Sequence, residues 1–569
     1  VRPKLLGDGR EPDLLSTEDL DAGSADGAEP GVRSILNARL LDDIARDALP
    51  RRAPAQPYRP AWLADPVHLY VTTANLRGVP YRIRFRDGAR DKLLTGHAMM
   101  SHGDRVHFRV HGLGAASWRN DWTDGDRDGT DVAVDDLFAP GGPSAAWEAY
   151  TLAARATGAF PLGLAARGLP GSLYEQRSWP MDVPPGVNLE PDWPAGWPKP
   201  DAPYRYVSVD GGLINNEPFE MTRFAIRRDG RPQNPRGAED ADTAVVMVDP
   251  FPDGPAFDED YPADDRLRAI ALALFPALKN QVRFKPGELV AAVAEDVFSR
   301  YMIAPRRADA AGTAAPYAIA CGALGGFGGF LDEAFRDHDF QLGRRNCQKF
   351  LRDSLAFPDE RNRVLAHGYR HLEPAARRAL AGGDGALPVI PLVGTARDEV
   401  PAPTWPKMAP ERLDELDRRV GQRADRLVPL LIAEVVPNRL MRVALRVLWG
   451  RILREKLLGH VRYAVLKDLI LRDLLGGTAW RIADPEARRV IAALADPRWQ
   501  LRSAAGIART TGLPEAEVRR HLAAQPGLAV RERIGRRDLY RLADRRLGRR
   551  RRIPVVRWIV QRVVPLAVD

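Results

Sequence analysis

Between residues 67 and 250, short runs of β-branched and aromatic residues alternate with turn signals and helix-period stretches; beyond about residue 260 the strand-like runs give way to helical spacing. Val67–Thr73 (VHLYVTT), Tyr81–Phe85 (YRIRF), Val106–Val110, Tyr204–Val209 (YRYVSV) and Thr243–Val248 (TAVVMV) predict strands, the last of buried type. Gly78 predicts a turn between the first two. Residues 32–49 and 144–157 predict amphipathic helices, the second stopping at Gly158, and another helix is expected from about Phe219. Such alternation predicts an α/β sandwich over 1–260. Residues 261–480 read as mainly helical, at 266–280, 287–301, 344–355, 410–426 and 439–475. Residues 484–544 then run helix, helix–turn–helix, β-hairpin. That is the winged-helix order, and it predicts a separate small α+β domain at 484–548, followed by a basic and apolar tail at 549–569.

Charge divides the chain at about residue 400. From 401 onward there are 36 of the 84 Lys and Arg against 18 of the 75 Asp and Glu; residues 1–400 hold 48 against 57. An acidic body joined to a basic end predicts an anionic partner for the end, either phospholipid or nucleic acid. Two cysteines, Cys321 and Cys347, exclude a disulfide scaffold and a four-cysteine zinc site. No run reaches about 18 uninterrupted apolar residues. The opening residues are polar, and a cytoplasmic location with peripheral membrane attachment is expected. Abundant Arg and Ala suggest a GC-rich bacterial source.

The strongest chemical signal is residues 206–218, YVSVDGGLINNEP. A strand delivers Asp210 at its end, and Gly211 and Gly212 follow, which predicts positive φ or a close approach of another group. A carboxylate at a strand terminus stands where α/β sites are built and can orient or deprotonate a hydroxyl. A plain Asp-Gly turn is the competing explanation.

With its neighbours, the motif resembles the patatin-like phospholipases. Three blocks occur in the family's order: Val67–Phe85 (VHLYVTTANLRGVPYRIRF), Leu152–Pro161 (LAARATGAFP) and Val209–Pro218 (VDGGLINNEP). The likeness spans roughly residues 30–250. The second block departs from the family in having Thr157-Gly158 where Ser-Ala is usual. The resemblance implies a patatin-like α/β sandwich and a lipid acyl hydrolase with a Ser–Asp dyad and no cofactor. Asp210 would be the base partner, with Gly211 and Gly212 as motif positions. The family's nucleophile elbow, Gly-x-Ser-x-Gly, occurs nowhere; Ser24, Ser144 and Ser172 all miss the spacing. The first residue is Val1, and the chain is expected to lack the first part of the domain, with its serine and oxyanion loop. It is therefore expected to be inactive alone, with phospholipid or another acyl ester as the parent protein's substrate.

Other constellations carry bland readings. The acidic loop 119–131 lacks the Glu of a calcium loop at the twelfth position. His107 and His111 share one strand face without an acidic helper. His338 and Cys347 lie in a helix-like run with no third group, which predicts a buried structural cysteine at 347. The Gly-rich run 322–329 has no Gly-Lys-Ser/Thr after it and reads as a close approach or turn rather than a phosphate loop. In the basic end, Arg519, Arg520, Arg531, Arg533, Arg536 and Arg537 would suit duplex DNA, while protein docking over 484–552, packing within the chain, or a helical hairpin in place of a winged helix are the alternatives. Residues 545–568, RRLGRRRR followed by IPVVRWIVQRVVPLAV, fit an interfacial segment at an anionic membrane. Asn438–Trp449 is a second candidate for such a segment, with ordinary core packing the commoner reading of its pattern. A membrane-docking pseudoenzyme and a DNA-binding regulator are thus the rivals to a hydrolase.

Overall fold

The fold is that of a computed structural model. It describes residues 12–21, 31–50, 58–84, 96–114, 129–170, 191–197, 204–215, 218–226, 234–251, 290–308, 312–358 and 361–545, with a few residues at 52–53 and between 266 and 278. The proline-rich stretch 180–203 (apart from 191–197), most of the loop 119–131 and of the expected helix 266–280, and the tail from 546 lie outside the described residues.

The chain mixes α and β structure. Five strands form one sheet: β1 (Val67–Arg84), β2 (Gly96–His111), β3 (Thr130–Ala133), β4 (Arg167–Leu169) and β5 (Tyr206–Asp210), in the order β3-β2-β1-β5-β4. All pairings are antiparallel except β2 with β3. The helix Ala145–Thr157 lays Trp147, Ala153 and Ala156 on the sheet against Phe108, Val110 and Tyr206. Apolar side chains two apart on each strand meet the apolar stripe of one helix, as the alternating pattern requires.

Three expectations for this region change. Residues 67–84 form one continuous strand, and Gly78 marks a bulge rather than a turn. The Asn75 side chain accepts from the N–H groups of Arg77 and Gly78, both at 3.0 Å, so the irregular backbone is satisfied without leaving the sheet. The segment Val245–Val248 does not join the main sheet. It pairs in parallel with Arg300–Ile303, as β6 and β7, and leaves Val246 and Val248 exposed. The first helix is Arg39–Ala48, shorter than 32–49, because the N–H groups of Ile35, Leu36 and Asn37 bond to Leu162, Gly163 and Leu14.

The helical part holds Glu333–Asp353, Glu411–Val435, Arg439–Leu448 and Arg454–Leu471. The expected helix 439–475 is split by a π-turn at Trp449–Leu453. Then come Pro485–Leu494, a two-residue strand at Arg502–Ser503, Ala504–Thr511, Glu515–Ala524, and the strands Ala529–Ile534 and Arg537–Leu542. This end is not set apart. A single core runs from Phe335 and Leu413 through Leu466 and Leu469 to Ile491, Val518 and Leu542. The helix Pro485–Leu494 packs against the helix Arg454–Leu471 and gives Val490, Ile491 and Leu494 to that core, so the end packs as part of the helical body. Among the described residues no helix is long and apolar enough to cross a membrane.

Candidate functional site

Asp210 is half-buried at the end of β5, on an inner strand of the sheet. Its Oδ1 accepts from the Gly212 N–H at 2.7 Å and so caps the short 3₁₀ turn Gly211–Leu213. Neither glycine has a positive φ. Gly211 is required for close approach instead: a Cβ there would overlap the Thr72 carbonyl and hydroxyl. The turn is thus pressed against β1, and Asp210 is fixed in place with it.

Across β1, Thr73 pairs with Asp210 on one side and with Asp104 of β2 on the other. Directly paired residues put their side chains on the same face about 5 Å apart, so a threonine stands between two carboxylates. Thr73 is buried, and its hydroxyl has no hydrogen-bond partner among the described residues. Sequence reasoning missed Asp104 and Thr73, because only the register of three strands brings them beside Asp210.

The Asp210 N–H donates to the Ala159 carbonyl at 3.0 Å. The residue before, Gly158, lines an apolar cavity of about 530 Å³ whose walls include Leu41, Ile44, Tyr150, Ala154, Phe327 and Phe330. Phe160 meets Phe327 edge-on, with ring centroids 5.2 Å apart. Segment 158–160 therefore joins the Asp210 backbone to the cavity wall, and Asp210 itself does not line the cavity.

Of the serines nearest to an elbow, Ser144 does not reach this site. Ser144 begins the helix Ala145–Thr157, whose far end leads to Ala159. Thirteen residues of helix rise about 20 Å, which separates its hydroxyl from Asp210. Ser24 and Ser172 lie outside the described residues.

The remaining candidates resolve as follows. His107 is fully buried, stacked on Tyr70 and 2.8 Å from His68, whereas His111 does have acidic neighbours, Asp131 at 2.8 Å and Asp65 at 3.9 Å. Among the described residues no group of three His, Cys, Asp or Glu could hold a metal ion. Cys347 is exposed, contrary to expectation, while His338 is buried and bonded to Asp339 at 2.7 Å. Nine residues at about 100° each place the two on opposite sides of the helix Glu333–Asp353. In the glycine-rich run, a Cβ on Gly328 would come within 2.9 Å of the Ala320 carbonyl, a close approach. Several arginines of the basic end are engaged internally: Arg519 with Glu515 at 2.5 Å, Arg541 with Glu532 at 3.0 Å, and Arg531 with Asp538. These pairings draw positive charge away from a duplex-binding surface.

Over 556 residues, 93% of this chain and 76% of the relative, the sequence is 39% identical to the uncharacterized protein y4iI of Sinorhizobium fredii (strain NBRC 101917 / NGR234). The chain belongs to the y4iI family. No family model and no solved structure matches it. Because the likeness to y4iI runs through 93% of the chain, it takes in the sheet around Asp210 and most of the helical region.

Proposed function

We propose that this chain carries the aspartate side of a patatin-like Ser–Asp lipid acyl hydrolase. One observation carries the reading: the three blocks that resemble the patatin-like family converge on one residue. Thr73 of the first block pairs with Asp210, Ala159 of the second accepts its N–H, and the third contains it. The adjoining apolar cavity has the size range of small-ligand pockets and an aliphatic and aromatic lining suited to hydrocarbon.

In this reading Asp210 accepts the proton of a serine hydroxyl as that oxygen attacks the acyl carbonyl. The proton then passes to the departing alcohol as the ester C–O bond breaks, and water later cleaves the acyl-serine. No Gly-x-Ser-x-Gly occurs in the 569 residues, so the serine and its oxyanion donors come from outside them. The substrate is a phospholipid or another acyl ester.

The test compares two proteins on a vesicle-borne phospholipid and a soluble ester: the 569-residue chain, and the product of the reading frame extended upstream of Val1. Hydrolysis is expected only in the extended protein, falling at least about a thousandfold in Asp210→Asn. An upstream frame without a serine elbow would overturn the proposal. So would hydrolysis by the 569-residue chain that disappears in Asp210→Ala.

A further inference from the structure

The helix Arg439–Leu448 is turned inside out. It has no buried residue, and its apolar stripe faces water: Leu440 is 83% exposed, Val443 59% and Val447 48%. These residues recur at i, i+3 and i+7, with Ala444 between them and also exposed, so they form one face. The inward side carries Leu445 and Arg442, and Arg442 donates to the Val436 carbonyl. Asn438 caps the helix start, accepting from the N–H groups of Leu440 and Met441 at 2.9 and 3.2 Å. The outward-facing stripe is therefore held by defined local structure.

The helices Glu411–Val435 and Arg454–Leu471 pack on the body through Leu413–Leu427 and Val465–Ile470, and between residues 428 and 464 only Trp449 is buried. The helix 439–448 thus sits where this hairpin stands away from the core. Val435 and Leu453 beside it are exposed too. From 435 through 454 there are five arginines and no Asp or Glu. Arg454 is held by Asp425 at 2.7 Å, but Arg439, Arg446 and Arg451 are exposed.

We infer that this helix is an interfacial anchor that lays Leu440, Val443 and Val447 into the surface of an anionic lipid bilayer. Apolar side chains on one face flanked by arginines suit the boundary between acyl chains and phosphate headgroups. An acidic protein groove would meet the arginines but offer less to the stripe. A second copy of this chain would bring like charges together. Isolated exposed leucines need no explanation, whereas a row of them on one helix marks an interaction surface. The inference does not rest on the Ser–Asp reading and stands whether or not the chain hydrolyses lipid.

Flotation of the full 569-residue chain with extruded vesicles tests it. One set is pure phosphatidylcholine; the other is two parts phosphatidylcholine to one part phosphatidylglycerol. Binding is expected to the anionic vesicles and to weaken with salt. The double variant Leu440→Asp, Val443→Asp should bind at least about tenfold more weakly. Arg439→Glu, Arg451→Glu should lose about fivefold or more per site. All four side chains are exposed, so folding is retained and is checked by circular dichroism. Leu440→Trp supplies a second readout, a blue shift of emission on anionic vesicles only. Equal binding by the native chain and the aspartate variant would overturn the inference, as would no preference for anionic vesicles. A native dimer that fails to float and becomes monomeric in the aspartate variant would assign the face to a second copy instead.

Discussion

Thr73 stands directly opposite Asp210 in the β1–β5 ladder and directly opposite Asp104 in the β1–β2 ladder, so one buried hydroxyl separates two carboxylates. The turn that holds Asp210 depends on Gly211. In Gly211→Ala the added methyl would meet Thr72 backbone, which cannot swing away as a flexible side chain would. A loss of about 3 kcal/mol is expected from overpacking, measured by urea unfolding of the 569-residue chain.

Asp210 itself caps a short turn through Gly212. Asp210→Ala should therefore cost only about 1 kcal/mol of stability, the usual value of a cap. A thermal melt close to that of the native chain, together with abolished hydrolysis in the upstream-extended protein, would separate the carboxylate's chemistry from its structural part.

Asn75 closes the bulge in β1. It is fully buried, accepts two backbone N–H groups, and donates to the Tyr204 hydroxyl at 2.9 Å. Asn75→Ala would strand the buried Gly78 N–H and take a partner from the partly buried Arg77 N–H, and a loss of about 2–3 kcal/mol is expected. Hydrogen exchange should rise first at Arg77 and Gly78.

Asp496 predicts an acid limb of stability. Burial alone pushes its carboxyl up, but the Arg498 side chain, the Arg498 backbone N–H and the Lys467 ammonium at 3.0 Å outweigh this and hold it well below the usual carboxylate range. The folded value thus lies below the unfolded value of about 3.9. The stabilisation is present in full above about pH 5 and is lost as pH falls toward the folded value. Denaturant midpoints between pH 6 and pH 3 should fall more steeply in the native chain than in Asp496→Asn.

Arg423, buried in the helix Glu411–Val435, binds both oxygens of Asp19 at 2.8 and 2.9 Å and also the Ile35 carbonyl. Asp19→Ala would leave this guanidinium short of its counter-charge, at a cost of about 3 kcal/mol. Unfolding in denaturant would measure it, and limited proteolysis should begin near residues 16–21.

The sequence was informative where one element decided its own state. The helix ending at Gly158, the strand running into Asp210 and the hairpin Ala529–Leu542 could be read from period and turn residues, because each signal lies within a dozen positions. Reading failed where the deciding partner was distant. Gly78 resembles a turn because the Tyr204 hydroxyl, which donates to the Gly78 carbonyl and accepts from Asn75, comes from a segment more than a hundred residues away. The stripe of the helix 439–448 has the period of a core face, so its pattern alone fits core packing as well as an interface. Only its neighbours decide whether a stripe faces protein or water.

The sequence by itself determined the strand-rich first half, the helical second half, the displacement of positive charge to the end, and an aspartate followed by two glycines at the end of a strand. Period, propensity and charge are local quantities, so order along the chain preserves them. Tertiary structure alone decided the strand order β3-β2-β1-β5-β4, the row Asp104–Thr73–Asp210, the single core that absorbs residues 485–542 and the outward turn of Leu440, Val443 and Val447. Each of these depends on which distant surfaces come together to leave water, and that is a property of the whole fold rather than of any segment.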